Sequence, residues 1–551
     1  MSSTPSRALV RLNPWRLLLQ LLCVVLCLPF VTLLLSWAVP QWSLWQHLSE
    51  HVLWDYISTT LLLGFGVGIG SLTLGGAAAW CIARYRFVGH GVLSWLLLLP
   101  LAMPAYIIAY TYTGMLDVAG PVQAALRNLT GWQLGGYWFP DIRSLSGAVI
   151  MLSLVLYPYV YLLARNAFAD QAASLAEVSR SLGLSQWQTF WRVTVPLARP
   201  ALLAGTALAM MEAFADYGTV QYFGLNTFTT GIFRTWFGMG NTWGAAQLSS
   251  LLGVFVLLLL LWERHSRRHL TVYQSRATGR KVAPLVLSGW RGVGVACLCA
   301  LLPAVGFLIP AVQLASWVWQ SHQQWQWQDF TTLALNSVML ALASAMLIVT
   351  LALALAYGRR LFATKVYRAQ LQLTVLGYAL PGTVLAVGAL LPLGMADRGI
   401  NHIWRYVTGD TVGLVLSGTL FALILVYTVR FITVAFHNVD TGLNRITPDM
   451  DRAARSLGHG PLSVLRRIHL PLLRNSVLAA LLLVFVDVLK ELPATLILRP
   501  FNFNTLAVKA YELASDERLT QAALPALTIV LVGLVPVVLL TRAMKPSKEN
   551  R

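Results

Sequence analysis

Charge is scarce in this chain. Only 11% of its 551 residues are Asp, Glu, Lys or Arg, whereas a soluble domain carries about 25%. Lysine is rarer still, at positions 281, 365, 490, 509, 545 and 548 alone. None follows the glycine that a phosphate-cradling G-x-x-x-x-G-K-[ST] loop requires. No soluble segment is long enough for a nucleotide-binding domain, so any ATP chemistry belongs to another subunit. The five cysteines (Cys23, Cys27, Cys81, Cys297, Cys299) all lie in apolar runs. That excludes a disulfide framework or zinc-type Cys/His spacing and reads as small buried hydrophobes. No nucleophile triad or metal-catalytic motif stands out, so no catalytic residue is expected and the chain reads as a non-enzyme.

Apolar surface is abundant. The chain is 57% hydrophobic with a mean hydropathy of +0.66. Apolar runs fall near 17–39, 57–82, 93–115, 145–168, 200–224 and 245–262. A second set falls near 292–319, 333–357, 372–394, 412–436, 476–498 and 522–541. Each is about 20 residues, enough to cross a hydrocarbon core as a helix. The fold class is therefore an all-α membrane protein of about 12 transmembrane helices, which excludes strand-based and soluble-enzyme folds. The first run follows Arg7, Arg11 and Arg16 and is too long for a signal-peptide core, so it reads as a retained span.

The net charge of +19 would suggest nucleic acid in a soluble protein. Here the bases sit between apolar runs. With the N-terminus inside, the inner segments collect 31 Lys and Arg and the outer loops eight. Both termini are therefore expected in the cytoplasm, with the bilayer rather than nucleic acid as partner.

The chain is a tandem repeat. Arg180-Ser181-Leu182-Gly183 recurs 275 residues later as Arg455-Ser456-Leu457-Gly458. At that offset Pro196 matches Pro471, Glu212 matches Asp487 and Asp216 matches Glu491. Both copies start on the same side, so the two six-helix halves form a parallel repeat with a substrate path expected between them. The expected organisation is an N-terminal segment, first span and outer loop (1–56), a first transmembrane domain (57–262) and a basic cytoplasmic linker (263–291). A seventh span with its outer loop (292–331), a second transmembrane domain (332–541) and a cytoplasmic tail (542–551) complete it.

Between the fourth and fifth spans of each half lies a long cytoplasmic loop. Ser174 with Glu177, and Ser185 with Gln188, have capping-box spacing. Two short helices separated by a turn at Gly183 are expected. In the second copy Thr447-Pro448 starts a helix, Gly458 makes the turn, and Gly460-Pro461 opens the next helix. Pro196 and Pro471 are expected to close the element. Two capped short helices suit docking into another protein's groove; the alternative is a solvated connector.

The pattern from Glu177 through Gly183 to Pro196 resembles the "EAA" loop of ABC importer permeases. In the second copy Ala453-Ala454 keeps the alanines, while Arg452 with Asp451 stands at the acidic position. Segments 215–220 and 490–495, followed by Arg499-Pro500-Phe501-Asn502-Phe503, look like fused two-copy ferric-iron permeases. The resemblance implies type I ABC importer transmembrane domains in a bacterial inner membrane. It implies ATPase coupling through Glu177, Gly183, Pro196, Asp451, Ala453, Ala454, Gly458 and Pro471. The implied partners are a homodimer of ABC ATPase subunits, which would carry ATP and Mg, and a periplasmic solute-binding protein. No cofactor is expected on this chain itself.

Four acids lie within the apolar runs: Glu212, Asp216, Asp487 and Glu491. An acid at mid-helix costs about 2.5–3.5 kcal/mol on insertion scales. The i, i+4 spacing of each pair is expected to put both carboxylates on one helix face. With Tyr217 and Lys490 they read as a polar pathway for a cation, whose metal contacts at the four acids are transient. The alternatives are an ion pair with Lys490 and protonated acids. Tyr106 and Tyr110 are weaker candidates, and Trp317, Trp319, Trp325 and Trp327 read as an interfacial belt. Segments 225–244 and 499–521 are expected to receive the binding protein. The leading function is an ATP-driven importer permease for ferric iron. Thiamine, a polyamine or another cationic solute is the alternative cargo, and a proton-coupled secondary transporter the alternative class.

Overall fold

A computed structural model describes residues 14–169, 171, 179, 181, 183–268, 285–362 and 364–543. Among these, eleven helices are long and apolar enough to cross a membrane. A twelfth span results if His90–Ala102 and Ala105–Thr130, which meet at a 92° bend, are taken together. The bend falls at Met103-Pro104, where the proline ring forces Met103 into extended backbone and offers no N–H to a helix.

In the first copy the helices that matter are α1 (Pro14–Leu35), α2 (Leu53–Arg84), α3 (Ala105–Leu116), α4 (Leu145–Ala169) and α5 (Val195–Ala215). The short α6 (Gly218–Tyr222) and long α7 (Thr242–Arg268) follow. The second copy has α8 (Gly289–Pro303), α9 (Ile309–Ser321), α10 (Trp327–Leu361), α11 (Gly382–Thr408) and α12 (Leu420–Asn444). Then come α13 (Pro448–Ser456), α14 (Leu470–Leu489), α15 (Pro493–Leu498), α16 (Leu506–Ser515) and α17 (Leu519–Ala543).

Three further spans differ from their apolar runs. The run near 372–394 is interrupted before Pro381, and α11 extends to Thr408. It thereby carries a buried acid, Asp397, which is 1% exposed. Asp397 accepts the backbone N–H groups of Val415, Leu416 and Ser417 at 3.1, 2.8 and 2.8 Å. Its partners lie 18 to 20 residues away, so no local pattern announces them. The fifth run of each half, expected as one helix, breaks after Ala215 and after Leu489.

The described residues form two compact units. One combines the described part of Met1–Thr32 with Leu340–Tyr378 and Gly388–Val488. In it α1 packs on second-copy helices: Cys27 Sγ lies 3.7 Å from Thr374 Oγ1, and Leu19 lies against Gly358. The other unit takes Leu33–Met339, Ala379–Val387 and the described part of Leu489–Arg551. There the α8–α9 span packs on first-copy helices. Gly306 sits against the Leu154 carbonyl, and the Tyr112 hydroxyl donates to the Val305 carbonyl at 2.6 Å. A two-residue parallel pair, β1 (Tyr85–Arg86) with β2 (Leu285–Val286), joins the stretch before α8 to the end of α2.

Membrane helices gain nothing from hiding apolar surface from lipid, so close approach of small residues drives their packing. A Cβ at Gly75 of α2 would lie 2.5 Å from the Tyr157 carbonyl oxygen of α4. One at Gly205 of α5 would lie 2.6 Å from Val160 Cα. Both obstacles are backbone and cannot rotate away. Gly75→Leu and Gly205→Leu are each expected to lower stability by about 1–3 kcal/mol, the usual cost of overpacking. Denaturation of the purified chain in mixed micelles measures this.

Candidate transport pathway and coupling element

A helix end inside a membrane leaves backbone N–H groups that lipid cannot satisfy. The fifth span of the first copy ends at Ala215, and Asp216 turns into extended backbone. Its short carboxylate starts the next helix, α6. Oδ1 accepts the N–H of Thr219 at 2.9 Å and of Val220 at 3.1 Å, and Oδ2 accepts the Thr219 hydroxyl at 3.0 Å. This is helix capping by a side chain that competes with the helix before it. The Thr229 hydroxyl closes the other side by donating to the Asp216 carbonyl at 2.8 Å.

The second copy repeats the device. Glu491 lies past the end of α14, and its Oε1 and Oε2 accept the N–H groups of Ala494 and Thr495, both at 3.0 Å. The Thr495 hydroxyl donates to Oε2 at 2.8 Å. Pro493 at the first turn of α15 has no N–H to satisfy, so the carboxylate takes the next two. The outer re-entry is matched as well. Thr60 accepts the Phe228 N–H at 3.1 Å, and Ser337 accepts the Leu506 N–H at 2.7 Å. Gly218 fits tightly beside the second-copy break: a Cβ there would lie 2.7 Å from Tyr106 Cβ and 2.9 Å from Leu492 Cδ2.

The one-face expectation is therefore corrected. Glu212 lies on α5 and Asp487 on α14, both half-buried, but Asp216 and Glu491 sit beyond those helices. The i, i+4 geometry fails because each second acid ends the helix. Tyr217 is buried and stacks on Phe233 with ring centroids 3.7 Å apart. Lys490 is half-buried in the second break. Among the described residues no three His, Cys, Asp or Glu side chains converge on a point that could hold a metal. Among the described residues the buried hydroxyls of Tyr106 and Tyr110 have no hydrogen-bond partner. Trp317 is 7% exposed and packs beside Gly114. Trp319 and Trp327 are exposed.

The loops between the fourth and fifth spans keep their turns. Gly183 and Gly458 have φ of 75° and 81°, left-handed values that favour glycine. Ser185 and Gln188 form the expected capping box. Glu177 and Ser174 lie outside the described residues. In the second copy α13 carries Asp451, the exposed Ala453 and the buried Ala454. Pro196 and Pro471 do not close the element; helices run through both. A π turn precedes each, Phe190–Thr194 and Leu465–His469, exactly one repeat apart in sequence. In these turns Val195 and Leu470 donate to carbonyls five residues back. The wider turn accommodates a proline that has no N–H for the carbonyl four back.

Sequence reasoning missed the clamp on α13. Arg360 Nε donates to Asp451 Oδ2 at 2.6 Å, while its other nitrogens donate to the carbonyls of Leu443 and Ile446 at 2.7 and 3.0 Å. The fully buried His469 ring meets Asp451 Oδ1 at 2.8 Å. Burial pushes the Asp451 carboxyl upward, but the Arg360 guanidinium and the His469 ring outweigh it and hold it below the usual carboxylate range. Arg360 is 91 residues from Asp451, so only the Asp451 end was visible.

Residues 71–272 and 348–549 each match the family described as binding-protein-dependent transport system inner membrane component. The chain belongs to this family. A ferric-iron (Fe3+) transport system permease of Haemophilus influenzae is 27% identical over 541 residues, 96% of this chain and 97% of that one. A ferric transport system permease of Actinobacillus pleuropneumoniae is 24% identical over 470 residues, 80% and 64% of the two chains. A sulfate transport permease of Escherichia coli is 28% identical over 210 residues, 37% and 71%. This is a multi-pass permease of the ABC importer class, with the type I membrane domain present twice.

Two outcomes follow from the permease geometry. Asp216→Asn keeps one oxygen for both N–H groups, because Oδ1 alone accepts them. Glu491→Gln sets an NH2 against an N–H, because its two oxygens share the duty. Loss of a cap costs about 0.5–2 kcal/mol, so Glu491→Gln should destabilise by about that much and Asp216→Asn by less. Mixed-micelle denaturation compares them. Asp451→Asn removes the charge that holds Arg360 and should cost about 1–3 kcal/mol. The folded Asp451 carboxyl lies below its unfolded value of about 3.9. Its contribution is thus complete above that value and is lost as pH falls through the folded one. Stability of the wild type minus that of Asp451→Asn, followed from pH 7 to pH 3, should shrink only at the acid end.

Proposed function

We propose that this chain is the permease of an ATP-driven complex that carries ferric iron from a periplasmic binding protein into the cytoplasm. The observation that carries the cargo assignment is the end-to-end alignment with a ferric-iron permease, 96% of one chain against 97% of the other, two copies included. Both termini are cytoplasmic, as the distribution of Lys and Arg favours. Hydrolysis takes place on a separate ABC ATPase homodimer that holds ATP and Mg. Its contact is the paired cytoplasmic elements: Glu177, Gly183 and Pro196 in one copy, and Asp451, Ala453, Ala454, Gly458 and Pro471 in the other. The outer segments 225–244 and 499–521 receive the binding protein.

Transport runs past the two breaks. Glu212, Asp216, Tyr217, Asp487, Lys490 and Glu491 line it, and oxygen donors suit a hard trivalent cation. Asp216 and Glu491 already accept two N–H groups and a hydroxyl each, out of about four acceptor positions. Partial occupation weakens their hold on a cation, which favours passage over trapping. Because the breaks press together at Gly218, transport requires them to part, and the cytoplasmic elements at the far end of α5 and α14 are where ATPase closure would act.

The test is uptake of labelled ferric iron by proteoliposomes holding the permease, its ATPase and its binding protein. ATP-dependent uptake that thiamine, spermidine and sulfate do not compete is expected. Glu212→Gln with Asp216→Asn, which leaves the α6 cap formed, should lower uptake at least tenfold, about 1.4 kcal/mol of barrier. Uptake driven by a proton gradient without ATP would overturn the coupling. Transport of thiamine or spermidine in place of iron would overturn the cargo.

A further inference from the structure

Away from the two breaks, a cavity of about 500 Å3 opens between the first turns of α10, the 502–504 loop, α16 and the start of α17. Its size falls in the ~300–1,000 Å3 range of small-molecule sites. One wall is pinned by hydrogen bonds. Trp325 Nε1 donates to Ser321 Oγ at 3.1 Å, and that hydroxyl reaches the Thr520 carbonyl at 3.1 Å. The Trp325 ring, with Phe330, gives the cavity an apolar side.

The charges facing the cavity are unbalanced. Lys509 and Arg518 line it against a single acid, Asp329. Lys509 is half-buried on α16, and the acid one turn further on, Glu512, is occupied by Arg499 at 2.7 Å. Among the described residues neither Lys509 nor Asp329 makes an ion pair. The half-buried carboxamides of Asn336 and Asn504 also face this space, each with two N–H donors. A half-buried ammonium without a counter-charge is costly to keep, and an anion entering beside it gains charge-assisted hydrogen bonds. The second cation, Arg518, is exposed in the turn between α16 and α17 and donates to Gln521, so an anion long enough to meet cations on two elements matches the lining better than a compact one.

We propose that this cavity binds a small organic polycarboxylate, with carboxylates held by Lys509 and Arg518, a hydroxyl accepted by Asp329, and carboxamide donors from Asn336 and Asn504. The site is separate from the lining of the breaks, and the proposal does not rest on the identity of the transported cargo.

Calorimetric titration of citrate into the full chain in lipid nanodiscs tests it, with sulfate as the compact anion. Saturable one-to-one citrate binding is expected, at least tenfold tighter than sulfate. Lys509→Gln and Arg518→Gln should each weaken it at least tenfold, Lys509→Arg should retain it, and Lys365→Gln, outside the cavity lining, should leave it unchanged. Unaltered denaturation of each variant in micelles shows that a lost signal is not lost folding. No saturable binding by the wild type would overturn the proposal. So would equal affinity for sulfate, or undiminished binding in the Lys509→Gln, Arg518→Gln double variant.

Discussion

Where a helix stops inside hydrocarbon, its next N–H groups need acceptors from the protein itself, and this permease supplies them with carboxylates. Asp216 and Glu491 each end the fifth span and begin the helix after it, taking two N–H groups and a threonine hydroxyl. A neutral acceptor would do this more weakly, because hydrogen bonds to an ionised oxygen are roughly twice as strong. An acid that looks too costly for a membrane is thus retained because the break around it could not otherwise be built. The same side chains thus end one helix and cap the next.

That shared duty explains the close fit around the breaks. Gly218 has no room for a side chain between Tyr106 and Leu492, so the first-copy break is shaped to its neighbours atom by atom. The packing of α2, α4 and α5 through glycines continues the same principle down the bundle, since small residues bring backbones near enough for dispersion to hold helices together in lipid.

The loop elements between the fourth and fifth spans share a plan, and the second copy adds a charged clamp. Both have a glycine turn, a π turn and a proline one residue into the helix that follows. In the second copy Arg360, Asp451 and His469 clamp α13 to the helices beside it. One repeat earlier, Tyr85, Ala176 and Thr194 stand at those positions, and none of the three can make the same charged bridge.

By itself the sequence determined the membrane class, the tandem repeat, the glycine turns and the identity of the acids, because apolar run length, repeat offset and turn chemistry are local properties. It misplaced what depends on chain direction. A break inside an apolar run is invisible to hydropathy, so Asp216 and Glu491 were assigned to helix faces rather than to caps. The prolines read as stops, although π turns let the helices pass. Asp397 and Arg360 were unreadable for a different reason: their partners lie from 18 to 91 residues away, and only folding brings them together. Hydrogen bonds and close contacts between distant segments are decided by packing, and packing leaves no periodic mark on the sequence.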